Sequence, residues 1–235
     1  MLKKAEENDS RLILALDVLR GPAEATALSR EIAGLLSEVS DYLSAVKVGY
    51  PLVLETGIGI LREIRSGSGL PVIADFKIAD VPHISRKISH LAYDAGADAV
   101  IVHAFVGRDS MEAVVEVAEE KGDRGVIVVP NMSHPGAEAF IEPASERMAK
   151  LAVDIGATGV IGPATRPDEV RKLRSWVGER LLILTPGVGA QGAMPGEAIK
   201  NGADFEIVGR AIYESEEPGK VAKRMRDAIN EGCKT

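Results

Sequence analysis

The sequence predicts a (β/α)8 barrel, the TIM-barrel architecture, built as a single domain. Three observations predict it. Eight short apolar runs recur along the chain, segments of helical period separate them, and three helix-to-strand junctions share one plan. Eight strands alternating with helices need roughly 250 residues in such a barrel, and the chain has 235. An open doubly wound sheet is the alternative with the same alternation. The glycine fingerprint that would follow its first strand is absent, the sequence there being Asp17-Val-Leu-Arg-Gly-Pro22.

The eight runs cover residues 11–18, 45–50, 71–77, 99–105, 125–131, 159–163, 181–188 and 205–212. Each is nearly continuous in its apolarity and rich in Val and Ile, as a strand buried on both faces reads. Between them, residues 22–36 place Ala27, Leu28, Ile32, Leu35 and Leu36 on one helical face. Around residues 90–95 a stripe runs through Ile88, Leu91, Ala92 and Ala95; residues 109–120 carry Val114, Val115, Val117 and Ala118. Residues 167–177 carry Val170, Leu173 and Val177, with Pro167 suited to a first turn, and residues 218–229 carry Val221, Met225, Ala228 and Ile229. One apolar stripe per helix fits helices packed outside a sheet.

The shared junctions are Ala95-Gly-Ala-Asp-Ala-Val-Ile-Val102, Ile155-Gly-Ala-Thr-Gly-Val-Ile-Gly162 and Asn201-Gly-Ala-Asp-Phe-Glu-Ile-Val208. Gly closes each helix, where a left-handed conformation costs it little, and the chain turns into the next strand. These marks divide the chain into an N-terminal extension, 1–10, and a barrel catalytic domain, 11–232. Residues 1–8 read as a short helix or a frayed end.

Composition narrows the function classes. Apolar residues make up 46% and charged residues 27%, which argues against a disordered chain. Aromatics are only 4%, so the core is built from Val, Ile, Leu and Ala. The net charge of −7 and the lack of a long basic run argue against nucleic-acid and membrane-surface binding. A single cysteine, Cys233, makes an internal disulfide or a cysteine-based metal site impossible. Residues 1–10 lack the apolar core of a signal peptide, and no run reaches the roughly 18 apolar residues of a membrane helix. A soluble, cytoplasmic protein is expected.

In a barrel of this kind the catalytic groups sit at the C-terminal ends of the strands. The first run ends on Asp17, the second holds Lys47, and the third ends Asp75-Phe-Lys77 with Asp80 just beyond. Asp75 and Lys77 are two residues apart, so they share a strand face with Cα atoms on the order of 7 Å apart. The bland reading is a structural ion-pair network at the barrel mouth. Charges are costly to bury unless paired, and the arrival of Asp17, Lys47 and Asp80 at the same end favours function.

The seventh run passes into Thr185-Pro-Gly-Val-Gly-Ala-Gln-Gly192, and the eighth ends Val208-Gly-Arg210. Loops after the last two strands often form a phosphate site. Gly209 lets backbone N–H groups approach an anion, and Arg210 can bind it with two parallel hydrogen bonds. His103 reads as a satisfied core histidine and His134 as a turn residue, while no group has zinc-like spacing.

These residues carry a resemblance to a known family. Asp75-Phe-Lys-Ile-Ala-Asp-Val-Pro82, Lys47-Val-Gly-Tyr-Pro51, Met132-Ser-His-Pro-Gly136, Pro186-Gly-Val-Gly-Ala-Gln-Gly192 and Val208-Gly-Arg210 together resemble the orotidine 5′-phosphate decarboxylases, particularly the shorter archaeal-type members. The likeness runs from about residue 11 to about residue 213. It implies conversion of orotidine 5′-phosphate to uridine 5′-phosphate, the last step of pyrimidine nucleotide synthesis, with no metal and no organic cofactor. It also implies a homodimer with sites near the subunit interface.

By position, the resemblance makes Lys47, Asp75 and Lys77 a charged array completed by Asp80 of the partner subunit. Loss of CO2 would leave a carbanion on a ring carbon, and the Lys77 ammonium is suited to stabilise that charge and then act as proton donor. Asp17 and Lys47 would contact ribose hydroxyls, as would the partner subunit's Asp80, and Ser133 would read the pyrimidine edge. Gln191, in the loop that starts at Pro186, would bridge base and phosphate, and Gly209 and Arg210 would hold the phosphate. The sequence departs from the family pattern at Ile84, where a Thr is usual, with Ser85 one residue off. Related sugar-phosphate barrels share Asp-x-Lys-x-x-Asp but use Mg2+ with an acidic ligand near the end of the second strand. Here that region carries Lys47, a cation that opposes a metal. A barrel that only binds a phosphometabolite is the third reading, and the complete Lys47, Asp75, Lys77 and Asp80 set argues against it.

Overall fold

A computed structural model describes residues 1–122, 124–189 and 192–234. The chain runs α1 (Leu2–Glu7), β1 (Leu12–Leu16), α2 (Ala25–Val39), β2 (Ala45–Gly49), α3 (Tyr50–Thr56), α4 (Ile60–Ser68), β3 (Val72–Ile78), α5 (Pro82–Asp94), β4 (Ala99–His103) and α6 (Arg108–Glu120). It continues β5 (Gly125–Val129), α7 (Ala137–Phe140), α8 (Ser145–Asp154), β6 (Gly159–Ile161), α9 (Pro167–Val177), β7 (Leu182–Pro186), α10 (Glu197–Lys200), β8 (Phe205–Val208), α11 (Arg210–Tyr213) and α12 (Pro218–Glu231). The strands form one closed barrel in sequence order, with β8 pairing back to β1, and every pairing is parallel. All eight strands fall on the eight apolar runs.

Side chains alternate across each strand, and the barrel uses this to separate two cores. Ile13, Ala15, Ala45, Ile73, Ile101, Ile127, Val129, Ile161, Leu184, Phe205 and Ile207 fill the inside. The alternate residues, such as Leu14, Val48, Ala74, Val102, Val128 and Ile183, meet the surrounding helices in a larger outer core. Branched aliphatic side chains therefore do the work that aromatics do elsewhere. At the lower end, Met1 and Ala5 pack against the inner core, and Asn8 donates to the carbonyls of Ser40 and Leu43. Residues 1–10 thus include a helix docked on the barrel floor rather than a frayed end.

The shared helix-to-strand junctions have one structural cause. Gly96, Gly156 and Gly202 all have positive φ, at 110°, 72° and 101°, a region open to glycine at little cost. The Asp or Thr two residues later then accepts a backbone N–H from the preceding strand. Asp98 takes that of Val72 at 3.0 Å, Thr158 that of Val126 at 3.1 Å, and Asp204 that of Ile183 at 2.7 Å. Each junction so fastens β4, β6 or β8 to its neighbour. Asp98 also pairs with Arg65 and Arg124, and Asp204 with Arg174. Replacing Asp98 with Ala is expected to cost about 2 kcal/mol in urea denaturation, because it strands a strand N–H and removes a charged acceptor. The barrel mouth should be unaffected, since the junction lies at the opposite end.

One helix face differs from expectation. The sequence puts the α5 stripe on Ile88, Leu91, Ala92 and Ala95; Ala92 and Ala95 are buried and Ile88 packs half-buried against the outer core, but Leu91 is exposed, and Ser85, Ser89 and Tyr93 complete the buried face. Small side chains let α5 lie close to its neighbours, and the hydroxyls cost little to bury. Ser89 donates to the Ser85 carbonyl, and Ser85 to that of Asp80. Ser85 is therefore committed inside its own subunit and does not stand in for the missing Thr.

Candidate active site

Following each inward row one step past its last apolar residue leads to the mouth. The row Ile13, Ala15 continues to Asp17; Ala45 continues to Lys47; Ile73 continues to Asp75 and Lys77; Ile127, Val129 continue to Asn131. Polar residues appear where the inward positions emerge from the core. They surround a cavity of about 600 Å3. Its floor is Ala15, Ile101, Val129, Ile161 and Ile207, and its walls carry Asp17, Lys47, Asp75, Lys77, Ser133, Pro186, Gly209 and Arg210.

The charged groups form a chain. Lys47 Nζ donates to Asp75 Oδ2 at 2.7 Å, and Lys77 Nζ donates to Asp75 Oδ1 at 2.8 Å. Asp17 Oδ2 lies 3.8 Å from Lys47 Nζ. Lys47 and Asp75 are buried, while Lys77 and Asp17 are partly open to the cavity. Burial alone would raise the pKa of Asp75, but the two ammonium groups outweigh it and hold the carboxyl below its usual range. Burial would lower the pKa of Lys47, but the charges of Asp75 and Asp17 outweigh it and hold the ammonium above its usual range.

Two backbone features make this geometry possible. The β3–β4 register shifts between Ala74 and Ile78, and Lys77 has φ of +42°, rare for a side-chain-bearing residue. The bulge turns Lys77 toward Asp75, where simple alternation would only place the two on one face. On β2, a Cβ at Gly49 would stand 2.5 Å from Asp17 Oδ1, so glycine leaves room for the carboxylate.

Not every expected residue joins the cavity. Asp80 is exposed, accepts the Val81 N–H at 2.7 Å, and is not part of the cavity wall. Gln191 lies outside the described residues. His134 is exposed and away from the wall. His103 is buried against Phe105, as a core histidine would be, yet its Nδ1 has no hydrogen-bond partner among the described residues. Burial, then the nearby Lys77, lowers its pKa against the pull of Asp75, so it is neutral near pH 7.

Several wall residues escaped the sequence reading. Tyr213 lies between the Asp17 and Arg210 ends of the wall, and its phenol pKa is raised by burial first and by Asp17 next. Tyr50 stacks on Phe76 at the rim, with centroids 4.9 Å apart. Tyr213 lies three residues beyond Arg210, which was the available signal. Arg166 is not in the wall; it donates to the Met132 carbonyl at 2.7 Å and pairs with Glu142, which fastens the segment that carries Ser133. Among the described residues no group of three or more His, Cys, Asp or Glu is placed to hold a metal ion, and no helix is long and apolar enough to cross a membrane.

Comparison with known proteins decides the family. Residues 10–225 match the model of the orotidine 5′-phosphate decarboxylase / HUMPS family. The chain belongs to the orotidine 5′-phosphate decarboxylase / HUMPS family. It is 48% identical to the orotidine 5′-phosphate decarboxylase of Methanococcoides burtonii, over 95% of this chain and 99% of that protein. It is 44% identical to that of Pyrococcus furiosus, over 94% of this chain and 98% of the relative. The fold resembles the crystal structure of orotidine 5′-monophosphate decarboxylase from Methanocaldococcus jannaschii in complex with the inhibitor BMP. The TM-score is 0.85 at 38% identity, covering 94% of this chain and 99% of the other. The enzyme from Pyrococcus horikoshii gives a TM-score of 0.83 at 42% identity, over 93% of this chain and 98% of that one. The closed parallel barrel is thus the family's own architecture.

Proposed function

We propose that the chain is a carboxy-lyase that converts orotidine 5′-phosphate to uridine 5′-phosphate and CO2 with its own side chains and no metal or cofactor. The observation that carries this is the Lys47–Asp75–Lys77 chain, with bonds of 2.7 and 2.8 Å, in the wall of an open cavity. Cleavage of the bond from the ring carbon to the carboxylate leaves an electron pair on that carbon. The Lys77 ammonium stabilises the developing charge and then donates its proton to the carbon, becoming a neutral amine. Asp75 faces the departing carboxylate, and like charges there disfavour the bound substrate relative to its transition state. Lys47 keeps Asp75 ionised, which agrees with the lowered carboxyl pKa.

In this reading Asp17 and Lys47 bind the ribose hydroxyls and Ser133 reads the pyrimidine edge. Pro186, Gln191, Gly209 and Arg210 serve the phosphate side. The site is completed in a homodimer by Asp80 of the partner subunit. The exposed side chains of Val81, next to Asp80, and of Phe105 support an interface there, and Ser110 of α6 donates to the Asp80 carbonyl at 2.8 Å, which ties the Asp80 turn to α6.

The direct test follows the pyrimidine absorbance as orotidine 5′-phosphate is consumed, with and without EDTA. Turnover that is indifferent to EDTA is the expected result; absence of turnover, or its loss on chelation, overturns the proposal. Arg210→Ala should lower kcat/KM by about 10- to 100-fold, the value of a charge-assisted pair. Uridine, which lacks the phosphate, should bind the variant as it binds the native protein. Unchanged kinetics in the variant would remove Arg210 from the phosphate site.

A further inference from the structure

We propose that Glu206 is a positioning residue that holds the return of the strand-seven loop, and through it the phosphate side of the site. The outward residues of the strands are otherwise mostly aliphatic, yet Glu206 stands among them on β8, fully buried. No cation pairs with it among the described residues. Its carboxylate is instead held by backbone. Oε1 accepts from Gly196 at 3.1 Å, Ala198 at 3.1 Å and Ile199 at 3.4 Å, and Oε2 accepts from Gly196 at 2.9 Å.

The reason for such an expensive anchor lies in the crossover from β7 to β8. The helices α2, α5, α6, α8, α9 and α12 have 10 to 15 residues and a buried apolar face. In the β7–β8 crossover the helix is α10, with four residues, and it buries only Ala198. One turn that buries a methyl and lays Ile199 half-buried on the outer core fixes a segment only weakly by packing. The carboxylate supplies the rest, satisfying N–H groups at the start of that turn. Gly196 adds a second clamp. Its φ is +84°, and a Cβ there would lie 2.7 Å from the Ala228 carbonyl of α12, so the turn is pressed between β8 and the last helix.

The same strand then carries the phosphate end. Three residues after Glu206 come Gly209 and then Arg210, and the held segment leads back through Ala193 to Val188 and Gly187, which line the cavity. An isolated bridge joins Val188 to Ala193. Glu206 thus ties both walls of the proposed phosphate side to one strand. A group that acts this way should affect ligands with a phosphate and spare those without one.

The inference rests on the proposed function, and the tests separate the two. Glu206→Gln keeps one acceptor oxygen but sets an amide against the Gly196 N–H; Glu206→Met keeps none. In Glu206→Gln the KM for orotidine 5′-phosphate should rise about tenfold with kcat changed less than about threefold, the signature of lost binding rather than lost chemistry. Uridine 5′-phosphate should weaken by the same factor, uridine should not, and Glu206→Met should be worse than Glu206→Gln. A folded Glu206→Gln protein that binds uridine 5′-phosphate normally overturns the proposal. So does equal weakening of uridine and its phosphate, which would mean general loosening. If neither variant folds, hydrogen exchange on the native protein decides. The Gly196, Ala198 and Ile199 amides should exchange slowly without ligand, and exchange at the rate of an unprotected amide overturns the anchor. Arg210→Ala serves as the control. If it leaves uridine 5′-phosphate binding intact, the phosphate assignment fails, while the exchange data still report on Glu206.

Discussion

Replacing Lys77 with Ala should lower the turnover of orotidine 5′-phosphate by at least ~10^4-fold and leave the barrel folded. Two effects are lost together. Electrostatic stabilisation at a developing charge contributes about 10^2 to 10^3, and proton transfer by a positioned acid about 10^2 to 10^4. The fold should survive because Lys77 is partly open to the cavity, and Asp75 keeps its bond to Lys47. Lys77→Arg separates the two effects. Guanidinium keeps the charge but does not release its proton near neutral pH, so the variant should recover part of the electrostatic effect and none of the proton transfer. Single-turnover kinetics beside thermal melting measures both. An Ala variant within tenfold of native activity would show that the proton comes from elsewhere.

Asp75→Ala should be the most destabilising substitution at the site, by about 3–5 kcal/mol, because it leaves the buried Lys47 ammonium without its main counter-charge. Asp17 is then the remaining partner, at 3.8 Å and half exposed. The pH dependence gives the sign. In the native protein the Asp75 pKa is lowered, so its contribution is present above the ordinary value of about 3.9 and is lost as pH falls through the folded value. The Lys47 pKa is raised, so its contribution is present below the ordinary value of about 10.4 and is lost as pH rises through the folded value. Between those limits the pair adds no slope. Without Asp75, burial should take control of Lys47 and push its pKa down, and stability should then rise with pH. Urea denaturation at pH 6 and pH 9 should find the gap between native and variant narrower at pH 9. A gap that is constant, or wider at pH 9, would show that Lys47 is not the stranded charge.

The strands and the charged mouth were both legible in the sequence, for one reason. Parallel strands covered on both faces must be apolar throughout, so any ionisable residue near a strand end stands out. Asp17, Lys47, Asp75 and Lys77 were found that way, and all four line one cavity. Features that depend on tertiary contact were hidden. The short helices α3, α7, α10 and α11 carry too few residues for a period to be read. In α5 Leu91 turns to solvent, while Ser85 and Ser89, whose hydroxyls are satisfied by backbone, share the buried face with Ala92 and Tyr93, so hydrophobicity found only part of that face. Glu206 looked like part of a junction because its partners, seven to ten residues back, are backbone groups that no side chain announces. The backbone turn at Lys77 left no trace either, since left-handed positions are usually read from Gly or Asn.

That turn sets the backbone against the side chain it carries. A left-handed residue with a side chain carries roughly 1–2 kcal/mol of strain that glycine escapes, and Lys77 sits there at φ +42°. Glycine at position 77 would relieve that strain but give up the 2.8 Å bond to Asp75 together with the proton donor proposed for the reaction. The site thus holds its proposed acid in place against the local preference of the backbone.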